Sequence, residues 1–286
     1  MVFEFYMTND LNINPPAEQT KITYFIRNIL KRERFKNVVI GVSGGVDSAA
    51  SFSLLEKSIS PQNIYVAYLH YFKSQIDLIT PMLEKANIPH KNIYNLSIKD
   101  SVDLLEKAIF PIRYSGKRQH IQNLQMIRDS GQARVTDLQQ VRLGNIMARV
   151  RMIILYDLAK KHNALVCGTE NKSEFYLGYF TRFGDEASDF EPIQHLYKTQ
   201  VYQLAKYLNI PQQIINQAPT AGLWAGQTDE GDFGFSYKEA DAVLHLYFEE
   251  KNSISEIASK GFKNAEEIID WANKNSFKHH LPYVIK

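Results

Sequence analysis

Between Glu18 and Arg34 the apolar residues Ile22, Phe25, Ile26, Ile29 and Leu30 recur at helical spacing and predict an amphipathic helix. The stiff Pro15-Pro16 pair before it ends an N-terminal arm, residues 1–17. Val38-Val39-Ile40-Gly41-Val42 is a β-branched run of the kind found in a strand buried on both faces. The pattern then alternates: helix Asp47–Lys57, strand Ile64–Leu69, helix Gln75–Asn87, strand Ile93–Leu96, helix Asp100–Ile109. The polar, basic stretch from Pro111 to Arg134 reads as a loop with helical pieces. A long helix from Asp137, carrying Val141, Ile146, Val150, Ile153, Ile154 and Leu158, runs to about His162, and strand Ala164–Gly168 follows. Such alternation predicts an α/β fold with a doubly wound parallel sheet.

After about residue 200 the pattern becomes helical. Val201, Leu204, Ala205 and Leu208 mark one helix, stopped at Ile210-Pro211. Ser236-x-x-Glu239 and Ser253-x-x-Glu256 are capping-box signals for two more. A single domain over residues 18–286 is expected, with its helical C-terminal part packed on the sheet.

Composition narrows the function classes. Hydrophobic residues make up 44%, and 33 Lys and Arg face 31 Asp and Glu, which excludes disorder as the dominant state. No apolar run is long enough to cross a bilayer, and the start lacks a basic region followed by an apolar one; a cytoplasmic protein with no membrane partner is expected. The lone Cys167 excludes an intramolecular disulfide and an all-cysteine zinc site. The one dense basic cluster, Lys31 to Lys36, is interrupted by Glu33 and reads as a solvated helix end, so no nucleic-acid partner is expected.

The chemistry lies in Gly41-Val42-Ser43-Gly44-Gly45-Val46-Asp47-Ser48, between a buried strand and a helix. Glycines at 44 and 45 admit positive φ and let backbone N–H groups curl around an anion. Ser43 and Ser48 add hydroxyl donors, and the helix N-terminus adds partial positive charge. This is no Walker A loop, because Val46 and Asp47 replace its Gly-Lys. A carboxylate beside phosphate calls for a cation, so Asp47 implies a bridging Mg2+. After the fourth strand, Gly168-Thr169-Glu170-Asn171-Lys172-Ser173-Glu174 lies at the same sheet edge. Glu174 could share the ion, and Thr169 could reach an adenosine group.

With both motifs, the chain resembles the NAD synthetases of the PP-loop ATP pyrophosphatases. Leu143 to Met152, Gly178-Tyr179-Phe180-Thr181-Arg182-Phe183-Gly184-Asp185, Asp189, Pro192, Leu196 to Val201, Pro219 to Trp224, Gln227 to Glu230 and Gly234-Phe235-Ser236-Tyr237 continue the likeness in order. The resemblance implies an adenine nucleotide alpha hydrolase-like, Rossmann-like fold and ATP-dependent amidation of deamido-NAD to NAD. It implies Ser43, Asp47, Glu174, Asp185 and Lys198 as catalytic. ATP would meet the loop from Gly41 to Ser48, Thr169, Lys198 and Thr220, with Asp47 and Glu174 on the metal. Arg149, Arg182, Asp189 and Lys278 would contact deamido-NAD. Arg182 stands where many relatives carry Lys, and Phe277 where some carry His.

The family also implies a homodimer. Relatives that use glutamine carry an additional nitrilase-like domain with a catalytic cysteine. This chain is too short for one, so free ammonia is the expected nitrogen donor, from a source the sequence does not name. Four glycines between Pro219 and Gly234 suggest a lid ordered by ligand. Two other readings stay open at this level: a tRNA-modifying PP-loop adenylating enzyme, and a non-catalytic adenine-nucleotide-binding protein.

Overall fold

Four parallel strands stand in the order β3-β2-β1-β4: β1 (Asn37–Gly41), β2 (Ile64–His70), β3 (Ile93–Ser97) and β4 (Ala164–Cys167). The computed structural model describes residues 11–109, 138–224, 226–280 and 282–285. The first ten residues of the expected arm, the stretch expected as a loop with helical pieces, and the expected helix start at Asp137 lie outside the described residues.

Alternation in β1 explains why helices cover both faces. Val38 and Ile40, each 0% exposed, join Ile64 and Val66 on one side, where α1 (Pro15–Glu33) and α2 (Val46–Ser58) supply Ile22, Ile26, Phe52 and Leu55. Full burial of each such aliphatic side chain stabilises the fold by about 1.5–3 kcal/mol. Val39 turns to the other side and meets Ala67, Leu158 and Val166. Two helices lie there, α4 (Lys99–Ile109) and α5 (Leu138–His162), sharing Val102, Met147 and Val150. The doubly wound expectation holds among the described residues.

Three elements differ from expectation. The Pro15-Pro16 pair does not end an arm but opens α1, where a missing N–H costs nothing, with Asn14 as the cap, so residues 15–17 are helical. Gln75–Asn87 is not one helix but a 3-10 turn, Ile76–Leu78, followed by α3 (Thr80–Lys85). Pro81 is the reason: it lacks an N–H and clashes with the carbonyl four residues back, so it is accommodated only in a first turn, and a new helix starts around it. The Ser236 signal forms half of a capping box. Ser236 accepts the Glu239 N–H at 3.2 Å, but the Glu239 carboxylate turns away to Asn264, at 3.1 Å from its N–H and 2.8 Å from Nδ2. The Ser253–Glu256 box is complete.

The C-terminal part consists of α6 (Lys172–Leu177), α7 (Lys198–Tyr207), α8 (Gln212–Ile215), α9 (Asp229–Phe233), α10 (Tyr237–Leu244), α11 (Ile254–Ser259) and α12 (Ala265–Asn275). Leu177, Tyr197, Phe233, Val243, Phe262 and Ile268 form its own core. Leu204 and Ala205 of α7 join the sheet core, so this helix ties the two together. The chain goes from β1 to β2 on one side, while β4 pairs on β1's other side. Order therefore reverses between β1 and β4, and pairing of Ile40 with Cys167 makes the segments after both strands leave side by side. Ligands of open α/β sheets bind at such a point.

Candidate active site

The loop after β1 is shaped by its own hydroxyls. Ser48 Oγ accepts the Ser43 N–H at 3.2 Å, donates to the Gly45 carbonyl at 3.0 Å and lies 3.2 Å from Ser43 Oγ. Gly44 has φ +92°, a left-handed conformation that a side chain would strain. Gly45 precedes α2 without a side-chain cap, which leaves the first N–H groups of a 13-residue helix to serve an anion. Ser43 is exposed, so the bend is open to solvent. Val42 and Val46 do not contribute polar groups; at 1% and 5% exposure they anchor the loop in the core.

Asp47 in the first turn of α2 and Glu174 in α6 are brought to one point. Lys198 Nζ bridges them, 2.6 Å from Asp47 Oδ2 and 3.1 Å from Glu174 Oε1. Asn171 sets the geometry: its Nδ2 donates to Asp47 Oδ1 at 3.0 Å, and its Oδ1 accepts the Glu174 N–H at 3.0 Å as the cap of α6. The two carboxylates remain 16% and 18% exposed, whereas the Lys198 side chain is 3% exposed. Burial above all pushes the Glu174 carboxyl up, with Asp47 and Asp229 adding and Lys198 opposing. Burial works against the Lys198 charge, yet Asp47, Glu174 and Asp229 together hold the ammonium well above its usual range.

A buried frame fixes the lysine. Its N–H donates to Ser173 Oγ at 2.8 Å, Ser173 in turn donates to Asp241, and the Thr199 N–H donates to Asp241 Oδ2 at 2.8 Å. Asp241, 0% exposed, is pushed up to about 6 by burial against these donors. Tyr237 presents its ring to Lys198 Nζ at 5.0 Å and donates its hydroxyl to Asp229 Oδ2 at 3.0 Å. Sequence reading held Asp229 and Tyr237 only as members of family-like runs, without a role, and missed Asp241; no local motif marks Asp241, which stands 68 positions from Ser173.

The remaining candidates gather in a second group. Asn145 Oδ1 accepts from Thr181 Oγ1 at 2.8 Å, and both Nε and Nη2 of Arg149 donate to the Arg182 carbonyl at 3.2 Å. Helix α5 thus holds the segment that carries Asp185. Asp185 Oδ1 accepts the Thr181 N–H at 3.0 Å. Its side chain reaches solvent, but the surrounding protein pushes its carboxyl up, opposed by its hydrogen bonds and by Arg151, which the sequence reading held within a family-like run without a role. Lys278 donates to the Gly178 and Phe180 carbonyls at 2.6 and 2.9 Å, and the Arg182 guanidinium lies over Phe277 at 5.6 Å. Asp189 is exposed, with Oδ2 accepting the Val166 N–H at 2.7 Å. Half-buried Thr169 follows β4. Thr220 stands apart on an exposed loop, with its Oγ1 accepting the Gly222 N–H at 3.1 Å.

Beneath the β4 edge lies a further carboxyl pair. Glu191 accepts from the Glu170 N–H at 3.0 Å and from Ser188 Oγ at 2.8 Å. Glu170 accepts from Gln194 Nε2 at 2.7 Å, while its other oxygen is buried without a partner. Burial, reinforced by Glu191, pushes Glu170 up to about 9. The native state therefore binds this proton more tightly than the unfolded chain, and stability falls as pH rises from the ordinary glutamate range towards 9. Thermal melts of Glu170→Gln should show the variant gaining on the parent by at least about 1 kcal/mol between pH 6 and 9. Parallel Tm–pH curves would refute this assignment.

Among the described residues, no group of three or more His, Cys, Asp or Glu is arranged to hold a metal, and no helix is long and apolar enough to cross a membrane. A phosphate loop and two carboxylates at the switch point of a parallel sheet define a nucleotide-binding α/β enzyme. The model of the NAD synthase family matches residues 18–282, and the chain belongs to that family. It is 35% identical over 283 residues to an NH(3)-dependent NAD(+) synthetase of Fusobacterium nucleatum, covering 97% of this chain and 98% of that one. The solved NMN synthetase of Francisella tularensis superposes with TM-score 0.72 at 30% identity, over 96% of this chain and 100% of that one. An NH3-dependent NAD synthetase from Campylobacter jejuni gives TM-score 0.70 at 27% identity, with the same coverage of 96% and 100%.

Proposed function

We propose that the chain amidates deamido-NAD to NAD with ammonia, consuming ATP and releasing AMP and pyrophosphate. The observation that carries this is the cation-bridged pair Asp47–Glu174 beside the open serine–diglycine loop. A carboxylate resists ammonia because hydroxide would have to leave. Its oxygen instead attacks the α-phosphorus of ATP, and pyrophosphate departs with the electron pair. Ammonia then attacks the carbonyl carbon of the mixed anhydride, AMP departs, and the nitrogen loses one proton.

The residues suit these steps. Loop N–H groups and the Ser43 hydroxyl receive the departing pyrophosphate. Two carboxylates that already enclose an ammonium offer the hard oxygen donors that Mg2+ takes together with nucleotide phosphates. Bound by Asp47 and Glu174, the ion would supply charge neutralisation at the phosphates. Lys198 lies within the same site to meet them. Asp185, with its carboxyl raised, is a better proton acceptor for incoming ammonium than an ordinary aspartate. Arg149 orients the Arg182 segment, and Arg182, Asp189 and Lys278 border the dinucleotide, with Thr169 and Thr220 on the ATP side. We read the enzyme as a cytoplasmic homodimer.

The likeness to the Francisella protein favours one second reading, amidation of the corresponding mononucleotide. The test measures pyrophosphate release with each nucleotide and each nitrogen donor. Release should require deamido-NAD and produce NAD with ammonium, but not with glutamine. Preference for nicotinic acid mononucleotide would establish the second reading, and efficient use of glutamine would overturn the nitrogen assignment.

A further inference from the structure

Gly144 stands inside α5, where glycine weakens a helix relative to alanine. The missing side chain makes room for another element. A methyl at this position would lie 2.7 Å from Leu223 Cδ1, 3.0 Å from its Cβ and 3.2 Å from its Cγ. Turning the leucine would not relieve this, because its Cβ is among the crowded atoms. Leu223 follows Thr220 on the exposed loop and packs here against the cluster of Val102, Met147 and Val150.

Gln227 ties the same loop from its other end. It is buried, with Oε1 accepting the Leu223 N–H at 2.8 Å and Nε2 donating to Asp232 Oδ2 at 2.9 Å and to the Tyr179 hydroxyl at 3.3 Å. That hydroxyl donates in turn to Asp232 Oδ2 at 2.8 Å. The Asp229 N–H donates to the Pro219 carbonyl at 2.9 Å and closes the neck of the loop. Both supports also carry the segment 178–185. Tyr179 belongs to it, and α5 holds it through Asn145, which accepts from Thr181 Oγ1, and through Arg149, which donates to the Arg182 carbonyl. Loop and segment thus rest on one helix and one side-chain network. A ligand that steadies either removes part of the cost of ordering the other.

We propose that Gly144 and Gln227 are positioning residues that seat the Thr220 loop against the dinucleotide segment, and that ATP and deamido-NAD favour each other's binding through these two seats. The inference rests on the reading given above, which puts Thr220 on ATP and Arg182 on the dinucleotide. Neither Gly144 nor Gln227 has to touch a substrate. Each acts through the backbone it holds, Gly144 by admitting Leu223 and Gln227 by joining the Leu223 N–H to Tyr179.

The test titrates the full chain by calorimetry with α,β-methylene-ATP, which cannot release pyrophosphate, at fixed Mg2+ with and without saturating deamido-NAD. In the parent, deamido-NAD should tighten the nucleotide at least about fivefold. Gly144→Ala should reduce that factor below about twofold, while its urea midpoint stays near the parent's, because alanine's gain in the helix offsets the unseated leucine. Gln227→Glu sets a carboxylate against Asp232 and should also reduce the factor below about twofold. Adding Asp232→Asn reverses the donor and should recover at least about half of the lost coupling. A parent without coupling overturns the proposal, and so does a factor that survives Gly144→Ala, whatever happens to stability. If Gly144→Ala does not fold, the Gln227→Glu series decides: a surviving factor, or no recovery with Asp232→Asn, overturns the seat. The underlying reading fails separately, if the parent binds no deamido-NAD.

Discussion

Asp47→Asn should lower turnover by about a thousandfold while the chain stays folded. Asparagine keeps the side-chain shape and can still accept from Asn171, which donates to Oδ1 at 3.0 Å. It removes one of two negative charges from the ion's place and leaves Lys198 paired with Glu174 alone in the pair. Stability should fall as well, because the buried Lys198 ammonium loses its 2.6 Å partner, with relief between two crowded carboxylates offsetting part of the loss. The measurement is NAD formation at saturating ATP and deamido-NAD over a Mg2+ titration, with a thermal melt as folding control. Turnover within about tenfold of the parent would sink the metal assignment, since no single electrostatic contact of this kind is normally so dispensable.

The second large effect is structural. Gly168→Ala should cost about 3 kcal/mol, because the added methyl would overlap the Glu191 carboxylate beneath β4. Glu191 cannot step aside freely, as it holds the Glu170 N–H and the Ser188 hydroxyl. Gly41→Ala, at the end of the neighbouring strand, is the contrast. Its methyl would meet Leu155 at 3.5 Å, an ordinary contact, and the loss should stay below about 1 kcal/mol. Urea unfolding of both variants measures the difference. Adding Glu191→Ala to Gly168→Ala should recover part of the loss if overlap is its cause, and no recovery would point to the backbone instead.

Most of the sheet was legible from β-branched runs, because strands buried on both faces leave no room for polar residues. The helix boundary at Pro81 was legible in principle, since proline's missing N–H is a local fact, yet apolar periodicity alone ran through it. The phosphate loop and the Glu174 segment were legible because each needs specific residues within one turn of chain. Arg149 and Lys278 were found by likeness. The structure places both on backbone carbonyls of residues 178–182, a bracing contact that no sequence spacing reveals. Glu191 and Asp241 escaped notice, and Asp229 was quoted without a role, because each is a single carboxylate whose meaning comes from burial.

The sequence by itself determined the elements and the local devices: serine hydroxyls that fold a glycine turn, an asparagine that caps α6, and a carboxylate just inside a helix N-terminus. These act over a few residues, and their physics is covalent geometry and short-range hydrogen bonding. Only the tertiary structure decided that Lys198 lies between Asp47, 151 positions away, and Glu174, 24 positions away. The reason is that a buried ammonium is tolerable only where packing has already brought opposite charge to meet it.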